Sequence, residues 1–186
     1  MSLEYMFDAA YPSEKPYPGC AAVAGYIGGN TPHVWSLAEW QRFAHLRQLP
    51  IWVAYGMSLP AVEQAKRAAA AAVALGWAAH HAVERVIALD EETATDRAFV
   101  AAFAAELHVE GFGCWPYGSQ SSIFGDPSED GVWMALYDGK AGLENFPHVV
   151  AHQYAANVAW MGGAVDLSVV SAEAVQHLGH GPRRAA

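Results

Sequence analysis

The sequence predicts an α/β fold in which eight short strands close a barrel. Eight segments rich in β-branched and aromatic residues recur between turn residues along the 186-residue chain. Helical patterns separate the earlier segments, and this alternation indicates parallel pairing because parallel neighbours need a crossover. Eight strands are enough to close a barrel. Turn-rich segments replace the helices after residue 118, so some of the last strands are expected to run antiparallel.

The predicted strands follow one another along the chain without a linker, an internal repeat or a long low-complexity tract. In chain order they are EYMFDA (4–9), AAVAGYIG (21–28), PIWVAYG (50–56), RVIALDE (85–91), GCWPYG (113–118), GVWMALYD (131–138), VVAHQYA (149–155) and AVDLSVV (164–170). We therefore expect residues 1–186 to form one domain.

Three helices are predicted between the earlier strands, and each has a start or a stop signal. The helix over 36–48 opens with Ser36, which can cap free N–H groups, and Glu39 completes a capping box. The helices over 59–76 and 93–111 each end at a glycine.

Composition and charge argue against several functions. Hydrophobic residues make up 53% of the chain and charged residues 16%, as in globular proteins. The formal net charge is −9 and the one basic cluster is Arg183-Arg184, so nucleic-acid binding is not expected. The longest apolar run, the alanine-rich segment 68–75, is too short to span a bilayer. No secretion signal is visible in MSLEYMFDAAYP.

Cysteines and histidines give no prediction of a metal or a cofactor. Cys20 and Cys114 lie far apart without CxxC spacing, and we expect reduced buried thiols. The nine histidines show neither an HExxH pattern nor paired Cys/His spacing.

Three consecutive acids follow the fourth predicted strand. Strand side chains alternate between two faces, so Asp90 and Glu92 point to one side and Glu91 to the other. The same alternation sends Val86 and Ala88 to the barrel interior. The sequence therefore places Asp90 and Glu92 above these residues at the mouth, where the active sites of such barrels form.

Two further acids are predicted at the same mouth. Asp8 stands near the carboxyl end of the first strand, and Asp166 lies near the start of the last one. Asp166 reaches the same rim if the last strand runs antiparallel. Four crowded carboxylates raise at least one pKa, and a protonated acid beside an ionised one suits glycosidic cleavage. A divalent-metal site and a solvated strand end with helix-capping acids are the alternatives.

Five motifs resemble the family-25 glycoside hydrolases, which are N-acetylmuramidases or lysozymes. They are FDAAYP, ALDEE, PYGSQSSIF, VWMALYD and HQYAANVAWMGGAVDLSVV. The region GYIGGN to LPIWVAYG is closer to the related bacterial glycoside-hydrolase-like domains. The resemblance implies an irregular TIM-like (β/α) barrel with eight strands, fewer than eight helices and last strands that are partly antiparallel.

The resemblance also implies an activity and a set of site residues. The activity is cleavage of the β-1,4 bond between N-acetylmuramic acid and N-acetylglucosamine in peptidoglycan. Glu92 matches the general acid and Asp90 its partner carboxylate, which assists attack by the acetamido group of the substrate. The other matched positions are the acids Asp8 and Asp166, the tyrosine Tyr117, and the pair Gln153 and Tyr154.

The sequence departs from the family around the expected groove. AAYPSEKPYPG replaces the Ser and Gln that usually follow the first acid, and His152 stands where a tryptophan is usual. Aromatic residues near strand ends supply further candidates for sugar binding, because sugar C–H faces stack on such rings. These candidates are Tyr55, Tyr117 and Trp133.

Three functions remain open from the sequence. The first is a muramidase acting on peptidoglycan or a related polysaccharide. The second is a catalytically weak glycan-binding or structural barrel, as a component of a phage particle, a cell surface or another larger assembly. The third is a metal-dependent hydrolase that uses the same acids. Without a secretion signal, we expect a chain that is cytoplasmic at synthesis and reaches the cell wall by lysis, non-classical export or a phage particle.

Overall fold

Eight strands form a closed barrel in which each strand pairs with its neighbours in chain order. The computed structural model describes residues 2–77, 85–91, 97–119, 130–143 and 147–179. The strands are β1 Leu3–Asp8, β2 Ala22–Gly29, β3 Arg47–Val53, β4 Val86–Asp90, β5 Gly113–Ser119, β6 Val132–Ala135, β7 Val149–Trp160 and β8 Gly163–Ser171. All eight predicted strands are therefore confirmed, with shifted boundaries.

The direction of the strands changes once around the barrel. Each pair from β1–β2 to β6–β7 is parallel. β8 runs antiparallel to both β7 and β1, and so closes the barrel in the reverse direction. The predicted TIM-like barrel with partly antiparallel last strands is confirmed.

Four helices lie in the described part of the chain. They are α1 Leu37–Arg42, α2 Ala61–Ala74, α3 Arg97–Val109 and the short α4 Ala172–Val175, which the sequence did not predict. The predicted capping box is present at α1, where the backbone N–H of Ser36 donates to Glu39 Oε2 at 2.7 Å. Residues 93–96 of the third predicted helix lie outside the described residues. No helix of the described segments is long and apolar enough to cross a membrane.

The first helix is shorter than its sequence pattern predicts. The pattern runs to residue 48, but α1 ends at Arg42 and β3 begins at Arg47. The backbone N–H of Arg47 donates to Ala21 O at 3.0 Å, and Arg47 pairs with Ala22 in the barrel. Pairing with β2 thus replaces the last predicted helical turn, because a strand pair in the barrel satisfies the same backbone groups.

Alternation along the strands separates an inner from an outer layer of apolar side chains. In β4, Val86 and Ala88 belong to the inner layer, whereas Ile87 and Leu89 pack in the outer layer beneath the helices. This is the alternation that the sequence predicts. It leaves Asp90, at the end of β4, on the inner side at the mouth of the barrel.

Trp35 fixes the segment that leaves the first strand. Its indole N–H lies 3.2 Å from Ala9 O and 3.3 Å from Ala10 O, immediately after Asp8. The ring packs so closely on Gly25 in β2 that a Cβ there would lie 2.6 to 2.8 Å from three ring atoms. Glycine at position 25 therefore makes room for the side chain that holds the chain beside Asp8.

We expect Gly25→Ala to destabilise the protein by about 1–3 kcal/mol, because the added methyl group forces the Trp35 ring out of its position. The free energy of unfolding measured with guanidinium chloride checks this. Gly142→Ala is the matched control, since a Cβ there would meet no atom within 4 Å. Equal losses in the two variants would contradict the role given to Gly25.

Candidate active site at the mouth of the barrel

Three aspartates meet at the mouth of the barrel. Asp8 and Asp90 are the last residues of β1 and β4, and they are 6% and 4% exposed. Asp166 lies near the start of the antiparallel β8 and pairs directly with Asp8 in the strand register. Two parallel strand ends and one antiparallel strand start thus bring carboxylates to the same rim. Burying carboxylates in this way is unfavourable unless other groups stabilise them.

Tyr117, from β5, lies near two of these acids, Asp8 and Asp90. Its hydroxyl donates to Gln153 Oε1 and lies 3.3 Å from the hydroxyl of Tyr137. Burial raises the pKa of Tyr117 strongly, and the negative charges of Asp8 and Asp90 and the contact with Tyr137 raise it further. Tyr117 therefore remains protonated and acts as a hydrogen-bond donor among acceptors.

Asp166 is stabilised by a backbone group from the neighbouring strand. Burial raises the pKa of Asp166, while the backbone N–H of Asn157 and the side chain of Gln153 act in the opposite direction. The Asn157 N–H donates to Asp166 Oδ1 at 2.7 Å. Asn157 has a φ of 57°, and it lies where the pairing of β7 with β8 shifts register between Ala155 and Val158. The irregularity turns this N–H toward the acid, as β-bulges near active sites do.

Two cavities open at the mouth as lined by the described residues. The first has a volume of about 270 Å³, and Asp8, Asp166, Asn157, Tyr11 and Tyr26 are among its lining residues. The second has a volume of about 220 Å³ and is lined by Tyr117, Gly118, Ser119, Ala135 and Tyr137. The first lies beside strands β1, β2 and β8, and the second beside β5 and β6. Within the described residues, the mouth therefore offers these two spaces for ligand groups.

The structure brings most of the predicted acids together, but not all the predicted binding residues. Glu92 lies outside the described residues. Tyr55 is half-buried just beyond β3, where its carbonyl oxygen accepts from Asn30 Nδ2 at 3.2 Å. Trp133 is 1% exposed inside the barrel, where its indole donates to Ser168 Oγ at 3.1 Å. Its place is the barrel interior rather than an open groove.

The predicted pair Gln153 and Tyr154 faces two different sides of the barrel. Gln153 is fully buried and contacts Tyr117 at the mouth. Tyr154 packs on the outer layer, where burial and the neighbouring Tyr5, Cys20 and Tyr17 raise its pKa. Adjacent strand residues point to opposite faces, so only Gln153 reaches the candidate site.

His152, which departs from the family pattern, does not line the mouth. It is fully buried, and its ring nitrogens lie against the carbonyl oxygens of Gly142 and Leu136. The departure at this position therefore concerns the attachment of the segment after β6. Within the described residues, no group of three or more His, Cys, Asp or Glu side chains is arranged to hold a metal ion.

Asn157 and Tyr11 are among the residues of the mouth that the sequence did not predict. Asn157 was missed because a register irregularity depends on the partner strand, although asparagine does tolerate a positive φ better than most residues. Tyr11 was missed because it follows the first strand in a loop segment without a periodic pattern. Its exposure beside an acid could be recognised only with the chain folded.

Solved structures share this fold. An uncharacterized protein of B. stearothermophilus matches with a TM-score of 0.74 and 17% sequence identity, over 95% of this chain and 100% of the other. A Tat-secreted protein of Mycobacterium tuberculosis, solved in complex with L-tartrate, matches with a TM-score of 0.69 and 15% identity over 95% and 100% of the two chains. No protein-family model and no curated protein matches the sequence.

Family-25 glycoside hydrolases are among the similar structures. A family-25 lysozyme from Aspergillus fumigatus matches with a TM-score of 0.68 and 13% identity, over 95% of this chain and 99% of that one. A family-25 glycosyl hydrolase from Bacillus anthracis matches with a TM-score of 0.64 and 13% identity, over 95% and 93%. The resemblance stated from the motifs is thus confirmed as a likeness of fold.

The raised pKa of Asp166 predicts a pH-dependent effect of Asp166→Asn on stability. The folded protein holds the Asp166 proton to a higher pH than the unfolded chain does. The contribution of Asp166 to stability therefore falls as pH rises from its unfolded pKa of about 3.9 through its folded pKa. Asparagine can still accept from Asn157 N–H, so we expect the variant to be more stable than the wild type at about pH 7, with the difference shrinking at about pH 3.

Asp138→Asn is the control with the opposite sign. The backbone N–H of Lys140 donates to Asp138 Oδ1 at 2.9 Å and lowers the pKa of Asp138. Its ionised form thus stabilises the fold above the unfolded pKa, and this stabilisation is lost as pH falls through the folded pKa. Urea unfolding of both variants at the two pH values measures the effects. A neutral-pH loss of stability in Asp166→Asn would contradict the assignment.

Proposed function

We propose that this barrel hydrolyses peptidoglycan by cleaving the β-1,4 bond between N-acetylmuramic acid and N-acetylglucosamine. The observation that carries the proposal is the meeting of Asp8, Asp90 and Asp166 at the mouth of the barrel, where Tyr117 lies near Asp8 and Asp90. Glycosidic cleavage needs a protonated acid beside an ionised carboxylate, and a crowded acidic mouth supplies such pairs. Lysozymes and muramidases among the structures of similar fold support the same activity.

The proposed general acid is Glu92, two residues after Asp90. Its protonated carboxyl group donates a proton to the glycosidic oxygen as the bond to the sugar C1 breaks. Asp90 remains ionised and stabilises the positive charge that develops on the sugar. It also orients the acetamido group, whose oxygen forms a bond to C1. Water then opens this intermediate while Glu92, now ionised, removes a proton from the water.

Tyr117 and Gln153 have a positioning role in the proposed reaction. Burial and the nearby acids keep the Tyr117 hydroxyl protonated. Because the phenol carries no negative charge, stabilisation of the positive charge on the sugar is left to Asp90. Gln153 accepts the Tyr117 hydrogen bond and also lowers the pKa of Asp166. The pair therefore links the acids of opposite sides of the mouth.

Clearing of purified cell walls tests the function. We expect Glu92→Gln to clear walls about 100-fold more slowly than the wild type or slower still, because the amide cannot donate the catalytic proton. Asp90→Asn should lose activity as well, since an amide does not stabilise the developing positive charge. The release of reducing sugar ends gives a second readout of glycosidic cleavage.

Glu173→Gln is the charge-matched control for these substitutions. Glu173 is exposed on α4, which follows the end of β8 that points away from the mouth. Its substitution should leave clearing unchanged. If the wild-type protein sediments with the walls but does not clear them, this result would instead support a glycan-binding barrel. Clearing that a chelator abolishes would support the metal-dependent alternative.

A further inference from the structure

We propose that Tyr11, backed by His33, forms the stacking platform of a sugar subsite above Asp8 and Asp166. The ligand class is a pyranose ring of a β-1,4-linked amino-sugar chain, and in this respect the inference rests on the proposed function. Three features support the subsite, namely the exposure of Tyr11, the contacts that hold its ring, and the acceptors in the adjoining cavity.

Tyr11 is an exposed aromatic residue at the edge of a cavity. Its side chain lines the cavity of about 270 Å³ beside Asp8 and Asp166, and 63% of the residue is exposed. Its position at the edge of a cavity leaves part of an aromatic ring open to a molecule that enters there. Sugar rings present C–H groups on their faces, and these groups pack well against an open aromatic face.

A neighbouring ring holds Tyr11 in place before any ligand arrives. Its ring stacks on His33, with centroids 5.1 Å apart and an angle of 24° between the planes. One face of Tyr11 is therefore supported by protein, and the rest of the ring is accessible. An aromatic residue held in this way loses little conformational entropy when a ligand binds.

His33 is in turn fixed by the start of α1. Its Nε2 lies 3.1 Å from Glu39 Oε1, and Glu39 also accepts from the backbone and side chain of Ser36 at 2.7 and 2.8 Å. Burial would raise the pKa of Glu39, but these hydrogen bonds and His33 lower it overall. Glu39 therefore stays ionised and holds His33. The capping box of α1 thus supports the platform as well as the helix.

The cavity beside Tyr11 supplies acceptors for sugar hydroxyl and amide N–H groups. Asp8 and Asp166 provide carboxylate oxygens, and the exposed Asn157 adds a side-chain amide. A pyranose ring lying on Tyr11 would turn its edge toward these groups, and its O–H and N–H donors match the carboxylates. An aromatic face next to a few convergent polar groups is a typical arrangement of a small-ligand site.

Binding of a β-1,4-linked N-acetylglucosamine tetramer tests the subsite without turnover. The binding experiment uses the full chain with Glu92→Gln, so that the ligand is not consumed, and measures Kd by calorimetry. In this background Tyr11→Ala should weaken binding about tenfold, as expected for the loss of one aromatic stacking contact. Tyr11→Phe keeps the ring and should bind within about twofold of the parent.

Tyr5→Ala is the matched control, because Tyr5 is an exposed tyrosine in β1 whose side chain lies near Tyr154 on the outer side of the barrel. It should leave Kd unchanged. Equal affinity in Tyr11→Ala and its parent would overturn the subsite while leaving the proposed activity intact. If the tetramer does not bind the parent, the subsite is also overturned. Failure of the proposed activity is recognised separately, because the wild type would then not clear cell walls.

Discussion

The reversed direction of β8 is the constraint on which the candidate site depends. Because β8 is antiparallel to both neighbours, its first residues rather than its last reach the mouth of the barrel. The register then sets Asp166 directly opposite Asp8. A parallel β8 would carry Asp166 to the other end and separate the two acids by the height of the barrel. The reversed direction of β8 therefore explains both how the barrel closes and why the carboxylates are crowded at its mouth.

Two tryptophans give the segment after β1 a defined shape. Trp35 donates to the carbonyl oxygens of Ala9 and Ala10, close to Asp8. Trp160, at the end of β7, donates to Lys15 O at 3.1 Å and packs on Tyr17. The segment is thereby attached both to the barrel and to the β7–β8 hairpin. These contacts hold the segment that carries Tyr11 beside the first cavity.

The sequence predicts what depends on local pattern and misses what depends on a partner strand. Alternation along RVIALDE assigns Val86 and Ile87 to opposite layers, and the barrel confirms it. The end of α1 and the irregularity at Asn157 could not be predicted, because pairing with β2 and β8 determines them. The acids near strand ends were identifiable, since strand direction alone brings them to one rim. The roles given to Glu92 and the other site residues stay predictions.

The acids of the mouth are electrostatically connected through Tyr117. The charges of Asp8 and Asp90 both raise the pKa of its hydroxyl, so the phenol stays neutral and has a single proton to donate. The hydroxyl donates its hydrogen bond to Gln153 Oε1, so the amide nitrogen of Gln153 is the donor that faces other groups. The Gln153 side chain lowers the pKa of Asp166 against the effect of burial. The hydroxyl that orients Gln153 therefore lies near Asp8 and Asp90, and Gln153 in turn contacts Asp166 on the opposite side of the mouth.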